Sequence, residues 1–298
     1  MSSKGMEIFL QLFISGLALG GIYALVALGF VLIYKSTGVL NFAQGELMMI
    51  GAFVCFSFMN LKIPFYIAII MTLIVSATLG FLIERIFLRP MVGKPIFAVV
   101  MITIGLSEMA QSIVEIFWTA EDRVFENPFP KEVISFGGIV ISQAQITVII
   151  VATLIMMGFS LFFKYSRLGI AMRATAFDQK SAQLMGISPK RIFGFSWAIS
   201  SVIATIGGVL LASITWLSIK LGSAGLRSIP AAVVGGLDST SGSFIGGFIL
   251  GIIETLAGGY LDRPLGGGIK EITAYAILLL ILFIRPYGLF GTKEIERV

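Results

Sequence analysis

Four polar residues, Ser107, Glu108, Gln111 and Glu115, recur at three- and four-residue steps inside the apolar run Ile96–Trp118. On a helix this spacing sets them along one face. Glu108 falls near the middle of the run, where a carboxylate in lipid costs about 2.5–3.5 kcal/mol on insertion scales. Such a group either lines a path for a polar solute or is held by hydrogen bonds from a neighbouring helix. Glu108 and Gln111 are taken as candidate path residues, with the helix-contact reading beside them, and Glu254 admits the same two readings. A second polar cluster, residues 35–45, opens another apolar run. Asn41 and Gln44 have the spacing of a helix cap and the N3 residue that reaches back to it, and Glu46 adds negative charge in the first turn. Free N–H groups there could face a path or a substrate carboxylate, or simply mark a helix start at the interface. Asn41, Gln44 and Glu46 join the candidate path, as do Asp238 and Ser239 in the polar stretch after Gly235-Gly236.

A different chemistry is written between residues 164 and 191. Six bases (Lys164, Arg167, Arg173, Lys180, Lys190, Arg191) stand against Asp178, a net of +5. Asp178 suits an N-cap and Gly186 the glycine just past a helix end, so a helix of about two turns lies between them. Ser188-Pro189 then repeats the start signal for a helix entering the next apolar run. Ala182 and Met185, three apart, share a face with Phe177 or Asp178 and form a small apolar knob on a basic loop. Such a knob can dock in a partner's groove or lie on anionic headgroups.

The elements that must position these groups follow from composition. Of 298 residues, 57% are hydrophobic and only 12% charged, against about 25% in ordinary soluble domains, and the mean hydropathy is +1.00. Lipid must cover most of the surface, and in lipid every backbone group has to be satisfied internally. Helices are therefore expected throughout: an all-α, polytopic transmembrane bundle, read as one domain over residues 7–290. Apolar runs fall at residues 8–34, 42–59, 64–83, 96–118, 138–163, 192–217, 228–257 and 272–284. The first is too long for a signal-peptide core and is expected to stay as an anchor. About eight membrane segments result.

The basic loop 164–191 is expected inside by the positive-inside rule, as are the loop 84–94 and the C-terminal tail, whereas the acidic loop 121–132 is expected outside. Three runs between an inside loop and an inside tail break parity. The run 228–257, with Pro230, two glycines and the polar stretch from Asp238, is therefore read as broken or re-entrant, with a turn between two tilted helices as the alternative. Gly16–Gly20, Gly242–Gly246 and Gly247–Gly251 are small-x-x-x-small pairs that let helix backbones approach closely, in this chain or against a partner. Paired glycines and polar breaks in the first and later runs hint at two related halves.

With no histidine and one cysteine, Cys55, His-based catalysis, His metal sites and an internal disulfide are excluded. No metal, cofactor or nucleic acid is implied. No phosphate-loop motif is present, and the one Gly-Lys pair is followed by Pro95, so this chain is expected not to hydrolyse ATP by itself and not to be an enzyme.

The basic loop resembles the cytoplasmic coupling segment of ABC-transporter permeases. More specifically, Gly20 to Leu25, Asn41 to Glu46, Arg173-Ala174 through Gly186-Ile187, and Ala231 through Gly236 with Gly246-Gly247 resemble the branched-chain amino-acid permeases of the LivH type, in order and over nearly the whole chain. The resemblance implies a multi-pass subunit of the bacterial inner membrane, its C-terminus cytoplasmic. It also implies a sister permease, two ABC ATPase subunits and an external, periplasmic or extracellular binding protein, together importing leucine, isoleucine or valine. On that reading Arg173, Ala174, Phe177, Asp178, Ala182, Met185 and Gly186 receive the ATPase's motion. A stand-alone channel or ion-coupled carrier for urea or an amide is the alternative.

Overall fold

Apolar runs that cannot leave a peptide group unpaired in lipid wind into helices. The computed structural model describes residues 3–125, 129, 133–136 and 139–291. Among the described residues six helices are long and apolar enough to cross a membrane: α1 (Ser3–Thr37), α3 (Phe65–Ile83), α4 (Ile96–Trp118), α5 (Gln143–Tyr165), α8 (Pro189–Ile214) and α11 (Thr240–Leu265). Two further apolar helices, α2 (Gln44–Asn60) and α12 (Ile269–Ile284), have 17 and 16 residues. The short helices α6 (Arg167–Phe177), α7 (Gln179–Leu184), α9 (Lys220–Leu226) and α10 (Ser228–Gly235) complete the helical set, giving the expected polytopic bundle class.

A hairpin that the hydropathy did not announce precedes α5. Strand β1 (Val133–Phe136) pairs antiparallel with β2 (Ile139–Ser142), Val133 opposite Ser142 and Ile134 opposite Ile141. The run expected from residue 138 thus becomes helical only at Gln143, because its start is a β-branched alternation that fits a strand.

The chain folds as two compact units that interleave along the sequence and do not follow an N-terminal and a C-terminal half. One comprises residues 1–27, 128–156 and 227–298. In it the early part of α1 meets α11 along a glycine stripe. A Cβ on Gly20 would stand 2.8 Å from the Phe248 Cα, and one on Gly251 would stand 2.3 Å from the Gly20 Cα. The small-x-x-x-small spacing therefore acts inside this chain, as backbones this close require. Tyr23 donates to Glu254 Oε1 at 3.1 Å beside that stripe, both side chains buried.

The run 228–257 is indeed broken, but not at its centre. α10 ends at Gly235, residues 236–239 turn, and α11 continues for 26 residues. The polar stretch therefore sits between a helix of eight residues and one of 26, a turn between two helices of unequal length. Ser239 caps α11 by accepting from Gly242 N–H at 3.0 Å. The tail folds back onto the turn, Leu289 N–H donating to the Val234 carbonyl at 2.8 Å and Phe290 N–H to that of Gly235 at 3.1 Å.

The other unit comprises residues 28–127 and 157–226. Ile33, Ala43, Leu88, Leu106 and Trp197 form its core cluster. α8 threads between α2 and α3 at small residues: Gly80 faces the Trp197 carbonyl, Gly51 faces Thr205, and Gly208 faces the Met48 carbonyl. Thr205 donates to Ser76 at 2.7 Å at this junction. α3 continues through a π-helical turn, Glu84–Leu88. There the buried Glu84 carboxylate takes Arg89 at 2.6 Å, and Arg89 also donates to the Lys190 carbonyl at 3.3 Å. The charge pair thereby ties the end of α3 to the start of α8.

Candidate functional site

The second unit holds both features singled out above. The basic segment folds as its punctuation dictates. Asp178 caps α7, accepting from Lys180 N–H at 2.9 Å and from the Ser181 hydroxyl at 2.5 Å. The Ser181 hydroxyl first, then the Lys180 N–H, hold the Asp178 carboxyl below the usual carboxylate range. At the other end Gly186 N–H donates to the Gln183 carbonyl at 2.9 Å and Ile187 N–H to that of Ala182 at 3.0 Å. This pair of bonds needs a left-handed residue between them, and Gly186 has φ +83°. Ser188 and Pro189 then start α8.

The apolar knob differs in membership from the expected one. Ala182 is buried and belongs to the inner face of α7. The exposed apolar side chains are Phe177 at 95%, Leu184 at 88% and Met185 at 82%. Leu184 escaped the sequence reading because a six-residue helix turns fewer than two full turns, too short for periodicity to separate inside from outside. Arg173, expected at the docking face, instead points back to α5: it donates to the carbonyls of Phe163 and Lys164 and lies over the Phe163 ring. Ala174, on the same helix α6, is half-buried. These carbonyls end α5 unpaired, so a guanidinium there acts as a helix C-cap.

The polar cluster at the start of α2 is buried. Asn41 and Gln44 are fully enclosed. They do not form the expected capping box: the residue preceding α2 is Ala43, and no side chain caps it. Asn41 Oδ1 accepts from Ala43 N–H at 3.0 Å, a local Asx turn. Gln44 reaches away from its helix end, with Nε2 donating to the Ser200 carbonyl at 3.3 Å. Ser200 Oγ lies 3.0 Å from Gln44 Oε1 and 2.9 Å from the Gly29 carbonyl. A buried amide with tertiary partners outcompetes the local cap, since each of its donors would otherwise be orphaned. Phe42 N–H donates to Thr103 Oγ1 of α4 at 3.3 Å. Ser200, Thr103 and Gly29 were invisible to a local motif search because they lie in other helices.

Glu46, one turn on, accepts from Ser107 Oγ at 3.4 Å with its Oε1, while its Oε2 is buried without a hydrogen-bond partner. Gly222 of α9 faces this carboxylate, and a Cβ there would stand 2.3 Å from Oε2. On α4 the stripe divides. Ser107 turns inward, whereas Glu108 and Glu115 are exposed and Gln111, half-buried, donates to Glu115 at 3.3 Å. The Glu108 side chain lies on the outer face of α4, and among the described residues no hydrogen bond reaches it from a neighbouring helix. Asp238 and Ser239, by contrast, serve the turn between α10 and α11.

A cavity of about 180 Å³ lies beside the cluster, lined among others by Thr37, Asn41, Lys94, Gln179 and Trp197. Its wall thus joins the first residue of α7 to the entry of α2.

Residues 12–284 match the family described as branched-chain amino acid transport system, permease component. The chain is 33% identical to the high-affinity branched-chain amino acid transport system permease protein BraD of Pseudomonas aeruginosa, over 97% of this chain and 98% of that protein. It is 32% identical to LivH of Escherichia coli K12 with the same coverage. A probable branched-chain amino acid transport permease protein LivH of Methanocaldococcus jannaschii is 31% identical, over 92% of this chain and 90% of the relative. Among solved structures, PsaBC from Streptococcus pneumoniae in complex with Fab has the same fold at a TM-score of 0.52 and 18% identity, covering 93% of this chain and 91% of that one.

Proposed function

The chain belongs to the family of branched-chain amino acid transport system permease components, and from that premise we propose that it is the membrane subunit of an ATP-driven importer of leucine, isoleucine and valine. The permease domain is residues 7–290, set in the bacterial inner membrane, and the work is translocation, with ATP hydrolysis left to two partner ATPases. A sister permease completes the path, and an external binding protein delivers the solute.

The observation that carries this reading is the outer face of α4. A mostly apolar helix of 23 residues presents Glu108 and Glu115 outward with Gln111 between them. Facing lipid, the Glu108 carboxylate near the middle of α4 would cost about 2.5–3.5 kcal/mol, so this face is assigned to protein or a water-filled path. Asn41, Gln44, Glu46, Glu108 and Gln111 are assigned to that path, with Asp238 and Ser239 assigned to holding the turn before α11. The apolar knob of Phe177, Leu184 and Met185 docks in the ATPase, with Asp178, Ala182 and Gly186 fixing its backbone and Arg173 and Ala174 joining α6 to the membrane helices.

The loops that follow α4 and α8 meet at one point. Leu217 pairs with Arg123 beside the acidic outer loop, at 2.9 Å in both directions. The tail pairs with the turn after α10.

The test is uptake of labelled leucine by native cells with and without this chain. Loss on deletion, restoration by the wild-type chain, and competition by isoleucine and valine but not urea are expected. Unchanged uptake, or equal competition by urea, overturns the assignment.

A further inference from the structure

The Glu46 carboxylate is 4% exposed and half satisfied. Oε1 has the Ser107 hydroxyl, and Oε2 has nothing. Among the described residues the ion pairs are Glu84–Arg89 and Arg227–Glu271, so no protein cation answers Glu46. A buried carboxylate oxygen without a partner is costly, and in a native protein it calls for an explanation, a functional role or a bound ion among them.

The surroundings are those of a binding site rather than a packing accident. Oε2 points at Gly222, the one residue type there that leaves room, since any side chain would put a Cβ 2.3 Å from it. Gly45 meets the Gly222 carbonyl at 2.1 Å from its would-be Cβ, so α2 and α9 touch backbone to backbone around the carboxylate. α9 has seven residues and is interrupted again at Arg227, and irregular backbone of this kind is tolerated in a membrane protein where it lines a path. Ser107, which holds the other oxygen, is the inward neighbour of Glu108 on the exposed face of α4. The free oxygen is thus one helix position behind the polar face assigned to the path.

We propose that Glu46 Oε2 is the receptor for the α-ammonium group of the transported amino acid, exposed when α9 lifts from α2, and that it selects ammonium-bearing aliphatic solutes over neutral amides and over carboxylates. The inference rests on the path assignment above and names the group of the substrate that the path reads. An ammonium supplies the missing charge and up to three donors, whereas urea or an amide supplies no charge and a carboxylate repels.

The intact transporter in lipid nanodiscs, without its binding protein, is challenged with L-leucine, 3-methylbutylamine and 4-methylpentanoate. These three share the branched chain and differ in the charged group. Leucine and the amine raise the thermal midpoint of the wild-type complex and 4-methylpentanoate does not; Glu46→Gln removes both shifts. In the complete system Glu46→Gln lowers maximal leucine uptake by about tenfold or more, as expected for one lost charge-assisted bond, with the half-saturating concentration still set by the binding protein. Glutamine has the shape of a neutral glutamic acid, so uptake at the wild-type rate by Glu46→Gln means that the carboxyl is a protonated packing group, and the proposal falls. Equal shifts from the amine and from 4-methylpentanoate overturn it as well. Should Glu46→Gln not assemble, Glu46→Asp decides: it keeps a weaker preference for the amine, and loss of that preference overturns the proposal. A wild-type complex that binds the amine through Glu46 but does not take up leucine overturns the substrate reading alone, and one that binds neither probe overturns both.

Discussion

Gly51→Ala tests whether the helix junction around Thr205 is packed as described. A Cβ at residue 51 would stand 2.2 Å from Thr205 Oγ1 and 2.6 Å from its Cβ and Cγ2. Thr205 is fully buried, so it cannot swing clear into solvent. Overpacking of this kind costs about 1–3 kcal/mol. Thr205→Ala removes every atom but one of that clash at the cost of the 2.7 Å bond to Ser76, worth about 0.6–2 kcal/mol inside a membrane protein. The two Cβ atoms still approach to 2.6 Å, so the double variant loses more than Thr205→Ala alone but less than the sum of the two single losses, a favourable coupling of about 1 kcal/mol. Gly208→Ala is the control, because its Cβ would meet the Met48 carbonyl at 2.1 Å and no side-chain replacement relieves a backbone clash. Cys55, the sole cysteine, lies one turn beyond Gly51 on α2 and is fully buried, so labelling by a fluorogenic maleimide on heating reports unfolding of this junction. A loss of about 2 kcal/mol lowers the midpoint by roughly 3–6 °C, depending on how much of the chain melts together. Additive losses in the double variant would refute the packing described for α2 and α8.

Three further outcomes follow from the same geometry. Met185→Asp with Leu184→Asp places charge on the exposed knob, so uptake falls at least tenfold while the maleimide melting curve is unchanged; normal uptake removes the docking assignment. Asp178→Ala frays α7, read as faster hydrogen exchange at residues 179–185. Because the folded carboxyl titrates below its unfolded value, protection of this segment is present at neutral pH and lost as pH falls through the acid range of the folded group, and a pH-independent exchange pattern contradicts the cap. Gly20→Leu drives a side chain into the α11 backbone near Phe248 and prevents accumulation of folded chain, whereas Gly105→Leu, with nothing within 4 Å, leaves accumulation intact.

Helix positions were legible because lipid imposes one rule along the whole chain: apolar length means helix. Run boundaries at Ile96, Trp118 and the Ser188-Pro189 start fall where sequence placed them. Caps were legible for the same local reason, Asp178 and Gly186 each acting within a few residues of themselves. What sequence concealed depends on partners far along the chain. Asn41 and Gln44 have cap spacing, yet Ser200 in α8 claims the amide. Ala182 and Met185 share a helical register, yet packing buries the first and leaves the second outside. The break after Gly235 was visible as composition, but its place before a 26-residue helix, with the tail folded back on residues 234–235, was not. Gly222 carried no signal at all until the carboxylate facing it was seen.

The central claim is that ATP-driven motion enters this chain through the segment ending at Gly186. The most direct measurement is purification of the tagged chain from its native membrane in mild detergent, with mass spectrometry and ATP-dependent leucine uptake recorded for wild type and for Gly186→Leu. Leucine at φ +83° is strained with nothing nearby to clash, so the variant perturbs the segment and leaves the membrane helices alone. Recovery of a Walker-motif ATPase and a second permease with the wild-type chain, and loss of the ATPase and of uptake with Gly186→Leu, is the predicted result. Recovery of the chain alone, or full uptake by Gly186→Leu with its ATPase still bound, would contradict the account.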